Sequence, residues 1–326
     1  MMAKLPTELA TSGPLAVRTR SLIKRFGPTT ALAGVDLDVP EGAVYVLVGR
    51  NGVGKSTTLN VLLDFVVADA GTAEVFGRDT HRDGARVRAH VGYVPERHDV
   101  PYHWMRVGAL MRYHSAYYPA WDTAYADELA RTFDLRPDAR YGKLSKGQKR
   151  SVQLVLALAH RPPLLVMDEP TDGLDPVRRD ETLSAIAAHM ARFPTTILVS
   201  THQVHEIERL GDHLGLARAG RIEAQFSREA LRRLLQRYRI EVPDGWSGAP
   251  AMDDIVIRRN GGGRELAWTI WGEELSVTER LQSAGASVRR VEPLTLADAA
   301  LALLARDTTS GGLRPRGTAE PIGAGV

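Results

Sequence analysis

The sequence predicts an α/β protein: a mostly parallel sheet flanked by helices, with an antiparallel β subdomain, a helical insertion and a small C-terminal α/β appendage. Three observations predict it. An apolar run, Ala43 to Val48, leads through a glycine-rich turn into an apolar helical pattern at Leu59, Leu62 and Leu63. Strand-like apolar runs then alternate with helical patterns as far as Ala217, the pattern of a parallel sheet with ligand at the carboxyl ends of its strands. From Ser227 the pattern restarts as a shorter unit.

Residues 1–14 are expected to be a loose tail. Leu15 to Val39 reads as two or three strands around the turn Phe26-Gly27-Pro28, since glycine and proline punctuate strand patterns. The Ala43–Val48 strand, the glycine loop and a helix ending near Val67 follow, then a short strand at Val91–Val94. Between about 97 and 145 the aromatics Tyr102, Trp104, Tyr113, Tyr117, Tyr118 and Trp121 cluster. Helical spacing there, from Trp104 to Tyr118 and from Thr123 to Phe133, marks the insertion.

The alternation then resumes. Lys146–His160 reads as a helix closed by Pro162-Pro163, and Leu164–Met167 as a buried strand. Pro176–Arg192 is a helix with proline in its first turn, where a missing N–H costs nothing. Thr195–Ser200 and His213–Ala217 read as strands and Val204–Leu210 as a helix. These elements complete a main domain over 15–225.

In the appendage, 226–306, Leu231, Leu234 and Leu235 mark an amphipathic helix that also carries Arg228, Arg232, Arg233, Arg237 and Arg239. Those arginines read first as a solvated face and, as the sharper alternative, as a contact for anionic lipid headgroups. Glu265–Trp271 alternates like a strand. Ser276 with Glu279 reads as a capping box, and Gly285 as the end of that helix. Thr295 with Asp298 opens a last helix with Leu296, Ala299, Ala300, Leu303 and Leu304 on one stripe. Residues 307–326, rich in Gly, Pro and Thr, are expected to be disordered.

Composition narrows the class. A hydrophobic fraction of 44% with 25% charged residues is ordinary for a soluble globular chain. A net charge of +3 over 326 residues is too small to argue a nucleic-acid partner. With no cysteine, disulfides, thiolate metal sites and cysteine nucleophiles are excluded. No run approaches 18 apolar residues, and the N-terminus does not read as a signal peptide.

The chemistry sits in two places. Gly49 to Thr57, GRNGVGKST, fits G-x-x-x-x-G-K-[ST], the phosphate-binding loop of nucleoside triphosphatases. Gly49, Gly52 and Gly54 let backbone amides wrap the phosphates, and the helix that follows points its N-terminus at the same charge. Lys55 would reach the β- and γ-phosphates, and Ser56 would ligate Mg²⁺. A chance lysine in a glycine turn is the competing reading; the strand before and the helix after disfavour it. The second place is Asp168-Glu169-Pro170, at the end of the run LLVM. Asp168 would hold Mg²⁺, through water, and Glu169 would orient or deprotonate the attacking water.

These motifs, with others in the same order over roughly 15–225, resemble the ATP-binding subunit of ATP-binding-cassette (ABC) transporters. The resemblance places an adenine-stacking aromatic at Phe26 and the triphosphate on Gly49, Arg50, Asn51, Gly52, Val53, Gly54, Lys55, Ser56 and Thr57. It places the Q-loop at Val94-Pro95-Glu96 and the family signature at Leu144–Gln148, with Ser145, Lys146, Gly147 and Gln148 facing nucleotide held by a second subunit. It places the D-loop at Gly173–Pro176, with Asp175 coupling two sites, and the switch histidine at His202. A histidine after a strand is by itself more often a solvated or capping residue; the ordered set reverses that. The resemblance implies ATP and Mg²⁺ as cofactors, Ser56, Asp168 and Glu96 at the metal, and Glu169, His202 and Lys55 in catalysis. It further implies a homodimer or heterodimer, a separate transmembrane permease as partner, no nucleic acid, and a cytoplasmic position on the inner face of the membrane.

Three residues depart from the family pattern: Glu96 stands where glutamine is usual, Lys146 where glycine is commoner, and Arg50 where proline is common. The tail Val291–Leu304, VEPLTLADAALALL, resembles the segment closing many ATPases of the ABC-2 exporter type. The alternative, a soluble ABC-type ATPase acting on ribosomes or nucleic acid, would usually carry two cassettes or a coiled-coil insertion, and neither is present.

Overall fold

A computed structural model describes residues 13–97, 102–204, 208 and 211–307. Expectations for the two chain ends, and most of the helix expected over Val204–Leu210, lie outside those residues.

The chain opens with a hairpin of β1 (Leu15–Phe26) and β2 (Thr29–Pro40), turning at Gly27-Pro28. β3 (Val44–Val48) follows, then α1 (Lys55–Leu62). The helix stops short of Val67 because Asp64 takes a left-handed φ of 56°. β4 (Ala70–Val75), β5 (Arg78–Asp79) and α2 (Gly84–Ala89) come next. They are too short and polar to carry a periodic signal in the sequence. β1, β2, β4 and β5 make an antiparallel sheet in the order β2-β1-β4-β5.

β6 (Val91–Val94) leads to the insertion, α3 (Val107–Ser115) and α4 (Thr123–Thr132). α3 is shorter than its apolar spacing suggested: Arg106, just before it, is extended. Then come α5 (Lys146–Leu158), β7 (Leu164–Asp168), α6 (Pro176–Arg192), β8 (Thr196–Thr201), β9 (His213–Arg218) and β10 (Arg221–Ser227).

The central sheet has the order β10-β9-β3-β8-β7-β6. All its pairings are parallel except the β9–β10 hairpin. Every residue of β3 and of β7 is buried, which is why these strands read as unbroken apolar runs rather than alternating ones. Alternate residues of β3 feed two cores. Val44, Val46 and Val48 face the core shared with the insertion, α5 and α6, while Tyr45 and Leu47 face the core under β1, β2 and α1.

The C-terminal unit contains α7 (Arg228–Leu234), β11 (Leu235–Glu241), β12 (Val256–Gly262), β13 (Glu265–Trp271), α8 (Glu274–Ser283), β14 (Ser287–Pro293) and α9 (Leu296–Leu304). Its antiparallel sheet runs β12-β13-β11-β14. Two expectations need correction here. Leu235 is the first residue of β11, not part of the preceding helix, so Arg237 and Arg239 lie on a strand. Leu231, Leu234 and Leu235 suit a helix, but from Leu235 the pattern turns to period two, with Gln236, Tyr238 and Ile240 buried. α8 begins at Glu274 with Glu273 preceding it and no side-chain cap, so Ser276 sits inside the helix rather than capping it. Gly285 does follow that helix, at φ +83°, and Thr295 does cap α9, accepting from the Asp298 amide at 3.0 Å.

α9 does not pack with its own sheet's core. Leu296, Ala299, Ala300 and Leu303 join the cluster that holds Leu214, Leu216 and Val46. Arg218 Nη2 donates to the carbonyls of Leu303 and Leu304, both at 3.3 Å, and so satisfies the helix end. Among the described residues no helix is long and apolar enough to cross a membrane.

Candidate nucleotide site

Four adjacent strands, β3, β8, β7 and β6, deliver the site. Just past their carboxyl ends stand Gly49, His202, Glu169 and Glu96. Parallel neighbours point these ends the same way, so residues far apart in sequence meet at one edge.

The loop after β3 is held by close backbone approaches. A Cβ on Gly49 would lie 2.5 Å from the Ala217 carbonyl oxygen, and one on Gly54 would lie 2.6 Å from that of Ala31. Gly54 also sits at φ +104° immediately before α1. These two glycines are therefore required by the protein's own backbone, a reason beyond ligand access. Lys55, buried, donates from Nζ to the carbonyls of Gly49 at 2.9 Å and Arg50 at 3.4 Å.

Glu169 is the centre of the arrangement. It is buried, and its carboxylate stands 3.4 Å from Lys55 Nζ and 3.0 Å from His202 Nδ1. The His202 amide also donates to it, at 3.2 Å. Its backbone adopts φ +45°, a conformation that costs a side-chain-bearing residue roughly 1–2 kcal/mol. Flanking bonds hold it there: its N–H donates to the Ser200 carbonyl at 2.9 Å, and its carbonyl accepts from the Asp172 amide at 3.2 Å. Such strain in a residue facing a cleft is a pointer to function. Asp168, buried one residue earlier, accepts a short hydrogen bond from Ser200 Oγ.

A cleft of about 400 Å³ lies over these groups, lined by Asn51, Gly52, Gly54, Lys55, Ser56, Thr57, Glu96, Glu169, Asp172 and His202. Tyr93 stands behind it. Burial first, and then the charges of Asp168 and Glu96, push its phenol well above the usual range, so it stays neutral.

The other expected residues lie elsewhere. Arg50 is exposed, Val53 is half-buried, and Asp168 is buried and does not line the cleft. Phe26, half exposed at the end of β1, has Lys24 Nζ 5.5 Å from its ring centre. Ser145 caps α5 in a full capping box with Gln148, the Gln148 amide to Ser145 Oγ at 3.2 Å and the Ser145 amide to Gln148 Oε1 at 3.1 Å. That box engages the Ser145 amide. Lys146 and Gly147 form the first turn of α5, with Lys146 exposed. Asp175 caps α6 by accepting from the Arg178 amide at 3.0 Å.

Three residues that sequence reasoning passed over also belong here. Asp172 lines the cleft and accepts from Gln203 Nε2 at 3.1 Å. Ser200 holds Asp168. Arg150, on α5, donates to the carbonyls of Glu96 and Glu169. Its signal was available: Arg150 lies on the helical stripe of Leu154 and Leu158, where a charge has no solvent.

Residues 32–172 match the family described as ABC transporter. The ABC transporter ATP-binding protein YtrB of Bacillus subtilis (strain 168) is 32% identical over 61% of this chain and 68% of its own length. This chain belongs to the ABC transporter ATP-binding proteins. The daunorubicin resistance ATP-binding protein DrrA2 of Streptomyces coeruleorubidus is 35% identical over 70% of this chain and 71% of its own. A solved structure of the ATP binding subunit of an ABC transporter superposes with a TM-score of 0.61 at 27% identity, covering 67% of this chain and 92% of that one. The ABC protein described here is thus a P-loop ATPase that binds and hydrolyses ATP as a transporter subunit, as its motifs implied.

The donors present suit Mg²⁺. Ser56 and Glu96 offer oxygen at the cleft, Asp168 is a buried carboxylate next to Glu169 in the chain, and a hard cation of this size takes a few protein oxygens with phosphates and water. Among the described residues no group of three or more His, Asp or Glu could hold an ion unaided.

Proposed function

We propose that this subunit drives an exporter of the ABC-2 type through ATP·Mg²⁺ bound at two sites, each shared between two copies or between this chain and a homologue. The observation that carries the reading is the chain of contacts Lys55–Glu169–His202, at 3.4 and 3.0 Å, on the wall of the cleft.

Lys55 leaves Glu169 for the β- and γ-phosphates, which frees the carboxylate to take a proton from the attacking water. His202 contacts the γ-phosphate while its backbone N–H keeps donating to the Glu169 carboxylate, so the base stays oriented. Ser56 and Asp168 would hold Mg²⁺, with Glu96 near it, and the ion would supply charge neutralisation for the phosphates. Phe26 stacks on adenine. The exposed start of α5, at Ser145 and Lys146, faces nucleotide on the partner copy, and Asp175 couples the two sites. Surface exposure of these residues, away from the cleft of their own chain, supports that assignment.

The permease is a separate membrane-spanning subunit, and the ATPase sits against it on the inner face of the membrane. Export is supported by the drug-resistance name of DrrA2 and by the resemblance of Val291–Leu304 to ABC-2 tails. The test is affinity purification of the tagged chain from detergent-solubilised native membranes. A stoichiometric multi-spanning partner is expected. Recovery only with ribosomes or nucleic acid would overturn the transporter reading and favour the soluble alternative.

A further inference from the structure

Arg150 is a large side chain with no exposed surface, five residues past the cap of α5. Its Nη1 donates to the Pro95 carbonyl at 2.5 Å and to Gln153 Oε1 at 3.0 Å. Its Nη2 donates to the carbonyls of Glu96 at 3.1 Å and Glu169 at 3.3 Å. Gln153 in turn donates from Nε2 to the Arg97 carbonyl at 2.8 Å. One guanidinium therefore grips, from the helix that carries the signature, both the loop of Glu96 and the backbone of Glu169.

The charges of Asp172, Asp168 and Glu96 act on the guanidinium, but the acceptors that fix its place are uncharged oxygens. Burial pushes the guanidinium pKa down to about 10, which leaves it protonated at neutral pH and donating from both Nη atoms, while its buried Nε has no partner among the described residues. An apolar side chain would fill the same space without desolvating a charge, and a lysine could not reach carbonyls on two loops with one ammonium. The carbonyl it holds on Glu169 belongs to the residue at φ +45°, whose carboxylate direction follows from that backbone.

We propose that Arg150 is a positioning residue: it fixes the Glu96 loop and the left-handed backbone of Glu169 to the start of α5, and so aims the Glu169 carboxylate at the attacking water. The inference rests on the reading of Glu169 as general base.

The experiment uses the purified full chain with Mg²⁺ and ATP, and compares Arg150→Lys, Gln153→Ala and Glu169→Gln with the parent. Turnover, KM, equilibrium binding of a fluorescent ATP analogue and the melting midpoint are measured for each. Arg150→Lys is expected to lower kcat by about tenfold or more while KM and analogue affinity stay within about threefold, the pattern of a misaimed base. Gln153→Ala, which loosens one support only, is expected to lower kcat by a smaller factor in the same sense. The proposal is overturned if Arg150→Lys keeps kcat within about twofold, or if its KM rises in step with the loss. Should Arg150→Lys fail to fold, parental kcat in Gln153→Ala overturns it equally. Glu169→Gln separates the two ideas: parental turnover there removes both the base and the positioning role, whereas an inactive Glu169→Gln beside a fully active Arg150→Lys removes only the latter.

Discussion

In the six-stranded sheet, buried strands run parallel and deliver four loops to one cleft. In the C-terminal sheet, antiparallel strands bury one face against Met252, Val277 and Leu281, and the strands carry exposed charge on their outward residues. There Glu292 pairs with Arg239 at 3.0 Å and Arg290 at 3.3 Å, and Glu241 pairs with Arg264 at 3.1 Å. Parallel topology gathers strand ends from distant sequence into one place; an antiparallel meander sends alternate ends to opposite edges. The buried charges Lys55, Asp168 and Glu169 accordingly gather where the parallel strands end, while the second sheet sets its charges in solvated pairs. α9 blurs the division, since the last helix of the chain completes the core of the first region.

The largest effect separates the two regions by chemistry. Glu169→Gln is expected to lower turnover by about 10²- to 10⁴-fold with ATP binding retained, and to trap an ATP-bound dimer visible by size-exclusion chromatography. Charge removal at Glu292 is expected to leave turnover unchanged. Normal hydrolysis in Glu169→Gln would end the assignment of the base.

The next contrast uses one substitution in two cores. Leu303 on α9 and Leu281 on α8 are both fully buried, and truncation of a buried leucine to alanine costs about 2–5 kcal/mol. Leu303→Ala should lower the main unfolding transition in denaturant. Leu281→Ala should destabilise only the C-terminal sheet and appear as an earlier, smaller transition. A single transition shifted equally by both would mean that the two cores unfold as one.

Protonation of buried histidines should act on the first region alone. His160 and His189 are buried, and burial, with neighbouring histidines for His160 and Arg192 for His189, holds both pKa values down to about 4. Folded protein thus binds fewer protons than unfolded. The stability involved is fully present above about pH 6.5 and is lost as pH falls toward 4, on the order of 3 kcal/mol per group. All 10 histidines precede Leu214, so the C-terminal sheet should show no such loss. His189→Gln, measured by denaturant titration at pH 7 and pH 5, should shrink the loss of stability of the main transition between the two pH values. An unchanged loss would remove His189 from the account.

The smallest effect belongs to the solvated pairs. Glu292→Ala should change stability by less than about 1 kcal/mol, because an exposed ion pair gains little against water; a larger loss in the same titration would make this cluster a structural element of the second sheet.

Much of the first region was legible in the sequence. β3, β7 and β8 are buried on both faces, and continuous apolar runs declare such strands; the loop from Gly49 to Thr57 and the pair Asp168-Glu169 have fixed local spacing. α2, β4, β5, β11, β12 and β14 were not read, because short, half-exposed strands rich in arginine and glycine carry little periodicity. At the site, Lys55, Ser56, Glu96, Glu169 and His202 were named in advance and lie together. Arg150 and Ser200 were not, since their bonds to Glu169 and Asp168 span 19 and 32 positions of sequence.

The sequence by itself determined the phosphate loop, the apolar strands and their order, and hence the class of chemistry, because those depend on local residue type and spacing. Tertiary structure alone decided that a glutamate at φ +45° meets a lysine and a histidine in one cleft, that a buried arginine ties two loops to the start of α5, and that the final helix joins the first core. Each of these depends on which distant segments become neighbours, and that is fixed by the summed burial of the whole chain rather than by any one stretch of it.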